Sequence, residues 1–210
     1  NPVSQIDPFK GGSFGFLENN AIQKLILQHR ILKPMQIESY SSDNILLGIE
    51  RVTYKNFDFL NPDNTIYQIP FPEKIKTMKF ATSNFSDFED KIIFTKYARF
   101  GDLLESKIPN GIFTSYIYGY NRFYLVGILK NVSYSDLSPY MSSINFVENS
   151  MINSDVNTLF QNLRVNFPNA QIKSYNYKPF IGISSIIDEK GAEIDYYYDK
   201  FNRLQKVKQN

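Results

Sequence analysis

Few side chains in this 210-residue chain are of a type that does acid–base, nucleophilic or metal chemistry. It has one histidine and no cysteine, so a cysteine nucleophile, a thiolate metal site and a disulfide are excluded. His29 stands between Gln28 and Arg30 in a stretch with helical spacing, where a lone histidine is ordinarily a surface or boundary residue. A serine triad would have to use it. The acids Asp188, Glu189, Glu193, Asp195 and Asp199 offer oxygen ligands to a hard cation but lack the regular spacing of a calcium loop. Solvated turns and strand faces account for them. Carboxylate pairs for glycoside hydrolysis are defined by a three-dimensional separation, and nothing in the sequence selects a pair. Gly11-Gly12-Ser13-Phe14-Gly15 has no Gly-Lys-Ser/Thr ending, so a flexible lead-in is expected there instead of a phosphate cradle. The series Lys200, Arg203, Lys206 and Lys208, interleaved with Phe201, reads as a solvated strand face and not as a nucleic-acid surface. No catalytic, cofactor-binding or metal-binding residue is assigned, and no enzyme activity is expected.

The strongest pattern is built from tyrosine. Tyr97 and Tyr118 stand 21 residues apart, and so do Tyr177 and Tyr198. Each follows a partner two positions earlier: Thr95, Tyr116, Tyr175 and Tyr196. Such pairs share one face of a strand, and their β-branched or aromatic side chains suit a pleated surface. Four residues after Tyr97 comes Gly101, and four after Tyr198 comes Asn202. These two residue types most readily take the positive φ of a tight hairpin turn or its bulge. A second apolar stretch then follows, as at Leu103-Leu104, Leu125 to Leu129, Ile183 to Ile187 and Leu204 to Val207. Strand, turn, strand, turn is the expected unit, and recurrence at a fixed offset implies stacking of units.

Tyr198-Asp199-Lys200-Phe201-Asn202-Arg203-Leu204 resembles the tyrosine-aspartate repeat of RHS proteins, Tyr-Asp-x-x-Gly-Arg-Leu, with Asn202 in place of its glycine. Ser174 to Ile183 is similar to the segment which RHS-repeat proteins of Bacteroidetes place just before such a repeat. Thr114-Ser115-Tyr116-Ile117-Tyr118-Gly119-Tyr120-Asn121 is similar to their Tyr-Ile-Trp-Gly-Tyr-Asn motif. The blocks occur in the family's order, and the resemblance covers roughly residues 20 to 210. It implies a segment of a large secreted or cell-surface protein whose hairpins coil into a sheet or shell enclosing or presenting an effector such as a toxin domain. On that basis Tyr97, Tyr118, Tyr177 and Tyr198 are ladder anchors, Gly101 and Asn202 form turns, and Asp199, Arg203 and Leu204 complete the signature.

The elements that must position these residues are a mainly β array with a small helical insertion: consecutive hairpin repeats forming a curved antiparallel sheet or part of an RHS-type shell. Residues 1–92 are expected to be a lead-in, with a short helix over Asn19 to Gln28 that Pro34 ends, then a hairpin around Ser41-Ser42-Asp43-Asn44. From 55 to 92, repeated breaks such as Pro70-Phe71-Pro72 predict irregular strands and exposed loops. Tyr67 to Pro72 is expected to be an edge strand packed on its own sheet. Residues 93–132 form the first hairpin pair and 169–210 the second, continuing in a longer parent chain. Between them, 133–168 is helical, with Ser138 and Ser154 as caps, Pro139 in the first turn, and Val156, Leu159, Phe160 and Leu163 at helical spacing until Phe167-Pro168.

Composition is compatible with this frame. The chain is 42% hydrophobic and carries a formal net charge of +2. That is enough apolar material for a core, with no field of one sign to suggest nucleic acid or anionic lipid as a partner. No apolar run approaches the ~20 residues that span a bilayer. The expected partners are the rest of a parent chain or a protein covering the sheet edge, an effector domain, or a surface glycan. A glycan-binding or protein-binding surface module is the alternative reading, and a carboxylate-based hydrolase the weaker one.

Overall fold

The computed structural model describes residues 16–30, 35–79 and 88–210. Among them are eleven strands and three α-helices. The chain divides into two compact units, the first ending at Gly111 and the second beginning at Ile112. Within each unit every strand pairs antiparallel with its neighbour in the chain. This is the architecture of successive hairpins, mainly β with a small helical insertion.

The first unit holds α1 (Phe16–Leu27) and the strands β1 (Gln36–Tyr40), β2 (Leu46–Leu60), β3 (Ile66–Lys79), β4 (Glu89–Tyr97) and β5 (Leu103–Lys107). α1 buries Ala21 and Leu25 against Tyr54 of β2. It starts before the expected cap at Asn19-Asn20 and stops at Leu27. Pro34 lies outside the described residues. What ends the helix is His29, which turns left-handed at φ 54 while its N–H donates to Ile26 O and that of Arg30 donates to Leu25 O. These paired bonds close the last turn of a helix onto its own orphan carbonyls. His29 is thus an exposed helix terminus and not a helical residue.

The irregular stretch expected over residues 55 to 92 is corrected by the structure. β2 and β3 form the longest hairpin of the unit, of 15 and 14 residues, paired from Gly48↔Lys79 to Leu60↔Ile66. Asn56 pairs with Pro70 and Tyr54 with Pro72, so both prolines lie within a strand. They are tolerated because a proline lacks only its N–H, and the β3–β4 ladder is confined to Lys74–Thr77. Beside the prolines β3 behaves as an edge. A bulge at Thr53/Tyr54 accommodates the change of register there.

The second unit holds β6 (Phe113–Gly119), β7 (Tyr124–Lys130), α2 (Met141–Asn149), α3 (Asn153–Asn166), β8 (Gln171–Lys178), β9 (Gly182–Ile187), β10 (Glu193–Tyr198) and β11 (Leu204–Gln209). A short 3-10 turn over Ser138–Tyr140 leads into α2, with Pro139 in its first turn. α2 packs on β6 and α3 on β8. Their buried Ile144, Val147, Val156, Leu159, Phe160 and Leu163 close over Ile117, Leu129 and Ile172 of the strands. The 3.6-residue spacing read from 156 to 163 is the face that packs. Neither serine acts as a side-chain cap: Leu137 and Ile152 occupy the cap positions. Instead the Ser150 hydroxyl accepts from Ile152 N–H and donates to Asp155 in the first turn of α3.

Candidate functional site

The tyrosine anchors occupy one recurring position. Tyr97 and Tyr198 are the last residues of β4 and β10, and Tyr118 and Tyr177 stand one residue before the ends of β6 and β8. At each of them the register with the following strand shifts by one residue: Tyr97 faces Leu103, Tyr118 faces Leu125, Tyr177 faces Ile183 and Tyr198 faces Leu204. A bulge of this kind sharpens the local twist and re-aims the side chain beside it. Tyr40, facing Leu46 across a shift between Ser39 and Tyr40, has the same placement. The sequence reading passed over it, although Asn44 follows at the same offset as Asn202 after Tyr198.

Each tie from an anchor runs backwards to the preceding strand. The β9–β10 ladder stops at Asp195↔Ser185, and beyond it the Tyr198 hydroxyl donates to Ile183 O at 2.9 Å. The β7–β8 ladder stops at Gly127↔Ser174, and the Tyr177 hydroxyl donates to Leu125 O at 2.9 Å. The β3–β4 ladder stops at Lys74↔Ile93, and the Tyr97 hydroxyl donates to Pro72 O at 3.0 Å. In all three hairpin ends a side-chain hydroxyl satisfies a carbonyl that the splaying strands leave behind, a group costly to leave unmet when solvent is excluded. Tyr118 is half-buried at the equivalent bulge of β6.

Small residues make room for these rings. A Cβ at Gly182 would overlap the Tyr198 hydroxyl, and one at Gly101 would stand 3.1 Å from Phe71 Cε1, the ring on which Tyr97 stacks at 4.7 Å. Gly101 has φ 96 and Asn202 φ 61, and each donates its N–H three residues back, to Ala98 O and Asp199 O. Asn44, Asn64 and Gly191 complete equivalent turns at φ 59, 61 and 86.

The Asp199 carboxylate holds its turn from inside. Oδ1 accepts from Phe201 N–H at 2.8 Å and Arg203 N–H at 3.0 Å, while Oδ2 takes Arg203 Nε at 2.9 Å and Nη2 at 2.8 Å. The backbone and guanidinium donors of Arg203 hold its carboxyl below the usual carboxylate range. Asp188, one of the acids weighed as a cation ligand, repeats the arrangement with Ala192 N–H and Lys190 N–H, and the Ala192 bond leads the same downward shift. A general acid needs a carboxyl pushed up, and these two are pushed down. Leu204 faces Tyr198 and is exposed.

Tyr120 and Tyr124, which the sequence reading passed over as individual residues, form the densest polar node of the second unit. Tyr120 is fully buried and left-handed at φ 55. Its hydroxyl donates to Asn153 Oδ1 at the start of α3 and accepts Tyr177 N–H at 2.9 Å. Its own N–H reaches Ser150 O at 3.0 Å. Tyr124 stacks on Tyr177 at 4.5 Å, and Tyr120 meets both rings edge-on. Burial, followed by the neighbouring Tyr175, Tyr120 and Tyr124, pushes the Tyr177 hydroxyl up to about 12. This node ties the insertion to the hairpins. Its sequence signal is the motif around Gly119, in which Tyr120 stands among the residues similar to the repeat family but without an assigned role.

Among the described residues no group of three or more acidic or histidine side chains is placed to hold a metal ion, and no helix is long and apolar enough to cross a membrane. Gly11, Ser13 and Gly15, which have Gly-x-Ser-x-Gly spacing, lie outside the described residues, as do Ser83 to Asp87. What the geometry defines is a protein of consecutive antiparallel hairpins, with a bulge beside a tyrosine and a left-handed turn residue where β1/β2, β4/β5, β6/β7, β8/β9 and β10/β11 turn, and with the hydroxyls of Tyr97, Tyr177 and Tyr198 tied back to the preceding strand. No protein-family model matches the chain, and no curated protein matches it.

Proposed function

We propose that this chain is a structural segment of a large secreted or cell-surface RHS/YD-repeat protein, scaffolding or encapsulating an effector domain carried elsewhere in the parent chain. The observation that carries the reading is the sameness of the hairpin ends. Tyrosine at a bulge, glycine or asparagine left-handed four residues on, and an aliphatic partner six residues on recur at Tyr97-Gly101-Leu103 and Tyr198-Asn202-Leu204. A device repeated in this way serves stacking, because each hairpin buries only part of its apolar face and relies on its neighbours. β11 fits the same picture. All six of its residues are exposed, and its free edge could take a further hairpin of this construction.

The test is made on the parent protein. Its effector should be silent while the hairpin array is intact and active after proteolysis within the array. An effector equally active before and after cleavage, or a parent chain without further Tyr-led hairpins, would overturn the reading.

A further inference from the structure

Phenylalanine stands at three successive tips on one end of the second unit, and in each case it points away from the fold. The β6/β7, β8/β9 and β10/β11 turns lie at the same end because the strands alternate in direction. They carry Phe123, Phe180 and Phe201, which are 76%, 90% and 66% exposed. Neighbouring strands are about 4.8 Å apart, so tips two strands apart are separated by roughly 10 Å and the three rings extend over roughly 20 Å. Phe100, at the β4/β5 turn of the first unit, is likewise 80% exposed.

Packing does not explain these rings, and the backbone beneath two of them is strained. Phe180 is left-handed at φ 64, a conformation that disfavours a bulky side chain. Its N–H is held there by the Tyr124 hydroxyl at 3.1 Å. Phe123 follows three consecutive left-handed residues, Tyr120, Asn121 and Arg122. At Phe180 the strained residue is itself exposed, which points to a use outside the fold. Cations accompany the rings: Lys200 Nζ lies 5.1 Å from the Phe201 centroid and Lys178 is exposed at the start of the Phe180 turn, while Arg203, 5.2 Å from the same centroid, and Arg122 beside Phe123 are ion-paired with Asp199 and Glu148. The β9/β10 turn at the opposite end carries Asp188, Glu189 and Lys190 and no aromatic residue.

From this we infer that the end of the second unit bearing Phe123, Phe180 and Phe201 is a contact surface for an anionic lipid bilayer. The rings enter the interface between headgroups and acyl chains while Lys178 and Lys200 meet lipid phosphate. Protruding separate rings suit a soft planar surface that closes around each of them, whereas a protein partner would need three pockets at matching intervals. Phenylalanine is among the apolar side chains that enter the headgroup/acyl boundary, and basic residues add attraction to anionic headgroups. The net charge of +2 concealed this because it averages over a fold that separates the tips.

The chain contains no tryptophan, so single Phe123→Trp, Phe180→Trp and Phe201→Trp variants report each tip without background. On titration with phosphatidylcholine vesicles containing phosphatidylserine, all three should shift their emission to the blue, while Lys190→Trp at the other end should not. Phe180→Asn, which keeps a residue tolerant of the left-handed turn, and Phe201→Ser should each weaken vesicle binding about tenfold with an unchanged circular dichroism spectrum. Lys178→Glu with Lys200→Glu should abolish the preference for phosphatidylserine. Absence of binding to anionic vesicles, equal binding of the tip variants, or a blue shift at Lys190→Trp equal to that at the tips would overturn the inference. So would capture of the tips by a protein or glycan partner with no vesicle binding.

Discussion

The Tyr198 hydroxyl occupies the space that a side chain on Gly182 would need, and from there it donates to Ile183 O at 2.9 Å. Glycine and tyrosine are therefore one device, a gap in β9 and the ring from β10 that fills it. Tyr198→Phe should cost about 1 kcal/mol, the net worth of one hydrogen bond, measured by urea denaturation. Gly182→Ala should cost at least as much by displacing the ring. Wild-type stability in Gly182→Ala would refute the pairing.

Tyr120→Phe should cost more than Tyr198→Phe, about 1–3 kcal/mol, because it leaves Tyr177 N–H without its acceptor at a part-buried position. Thermal denaturation of the two variants side by side gives the ranking, and an equal loss would count against Tyr120 as the central tie.

Gly127 in β7 lies directly beneath Phe160 of α3, with no room for a Cβ. Gly127→Ala should destabilise by about 1–3 kcal/mol through overpacking. Adding Phe160→Leu should recover part of the loss, a non-additivity that a double-mutant cycle reads directly. Strict additivity would mean that the helix does not dock through this contact.

At Asn202, φ 61 tolerates asparagine or glycine and penalises a β-branched residue. Asn202→Val should lose about 1–2 kcal/mol and Asn202→Gly should be neutral or slightly stabilising. Phe180→Asn should gain about 1 kcal/mol by relieving the left-handed phenylalanine, even as it weakens the vesicle contact. Chemical denaturation midpoints decide all three.

The pH dependence has opposite signs at the two ends of the scale. Asp199 and Asp188 titrate below their ordinary range when folded. Their contribution is therefore present above the unfolded value of about 4 and lost as the pH falls through the lowered folded values. Asp199→Asn should flatten that acid slope. Tyr177 is raised to about 12, so its contribution is present below the unfolded value near 10 and lost as the pH climbs through 12. Spectrophotometric titration should show a late-ionising tyrosine that disappears in Tyr177→Phe, and its persistence would reassign the shift.

The amino-acid sequence by itself determined what is local. Alternation before each tyrosine, glycine or asparagine after it, and helical spacing from Val156 to Leu163 are satisfied within a few residues of chain, so the hairpins and the helical insertion were readable in advance. Only the tertiary structure decided the rest. The β2/β3 hairpin absorbs Pro70 and Pro72 because the ladder to β4 ends before them, a matter of neighbours and not of propensity. The hydroxyls of Tyr97, Tyr177 and Tyr198 bond carbonyls 15 to 52 residues back in the chain, partners that no local spacing names. Tyr120 became the central tie only when Asn153 and Tyr177 were brought to its hydroxyl. Sequence spacing specifies turns through φ and ψ, whereas a hydrogen bond across strands depends on register, which is fixed only when the sheet and its helical cover pack together.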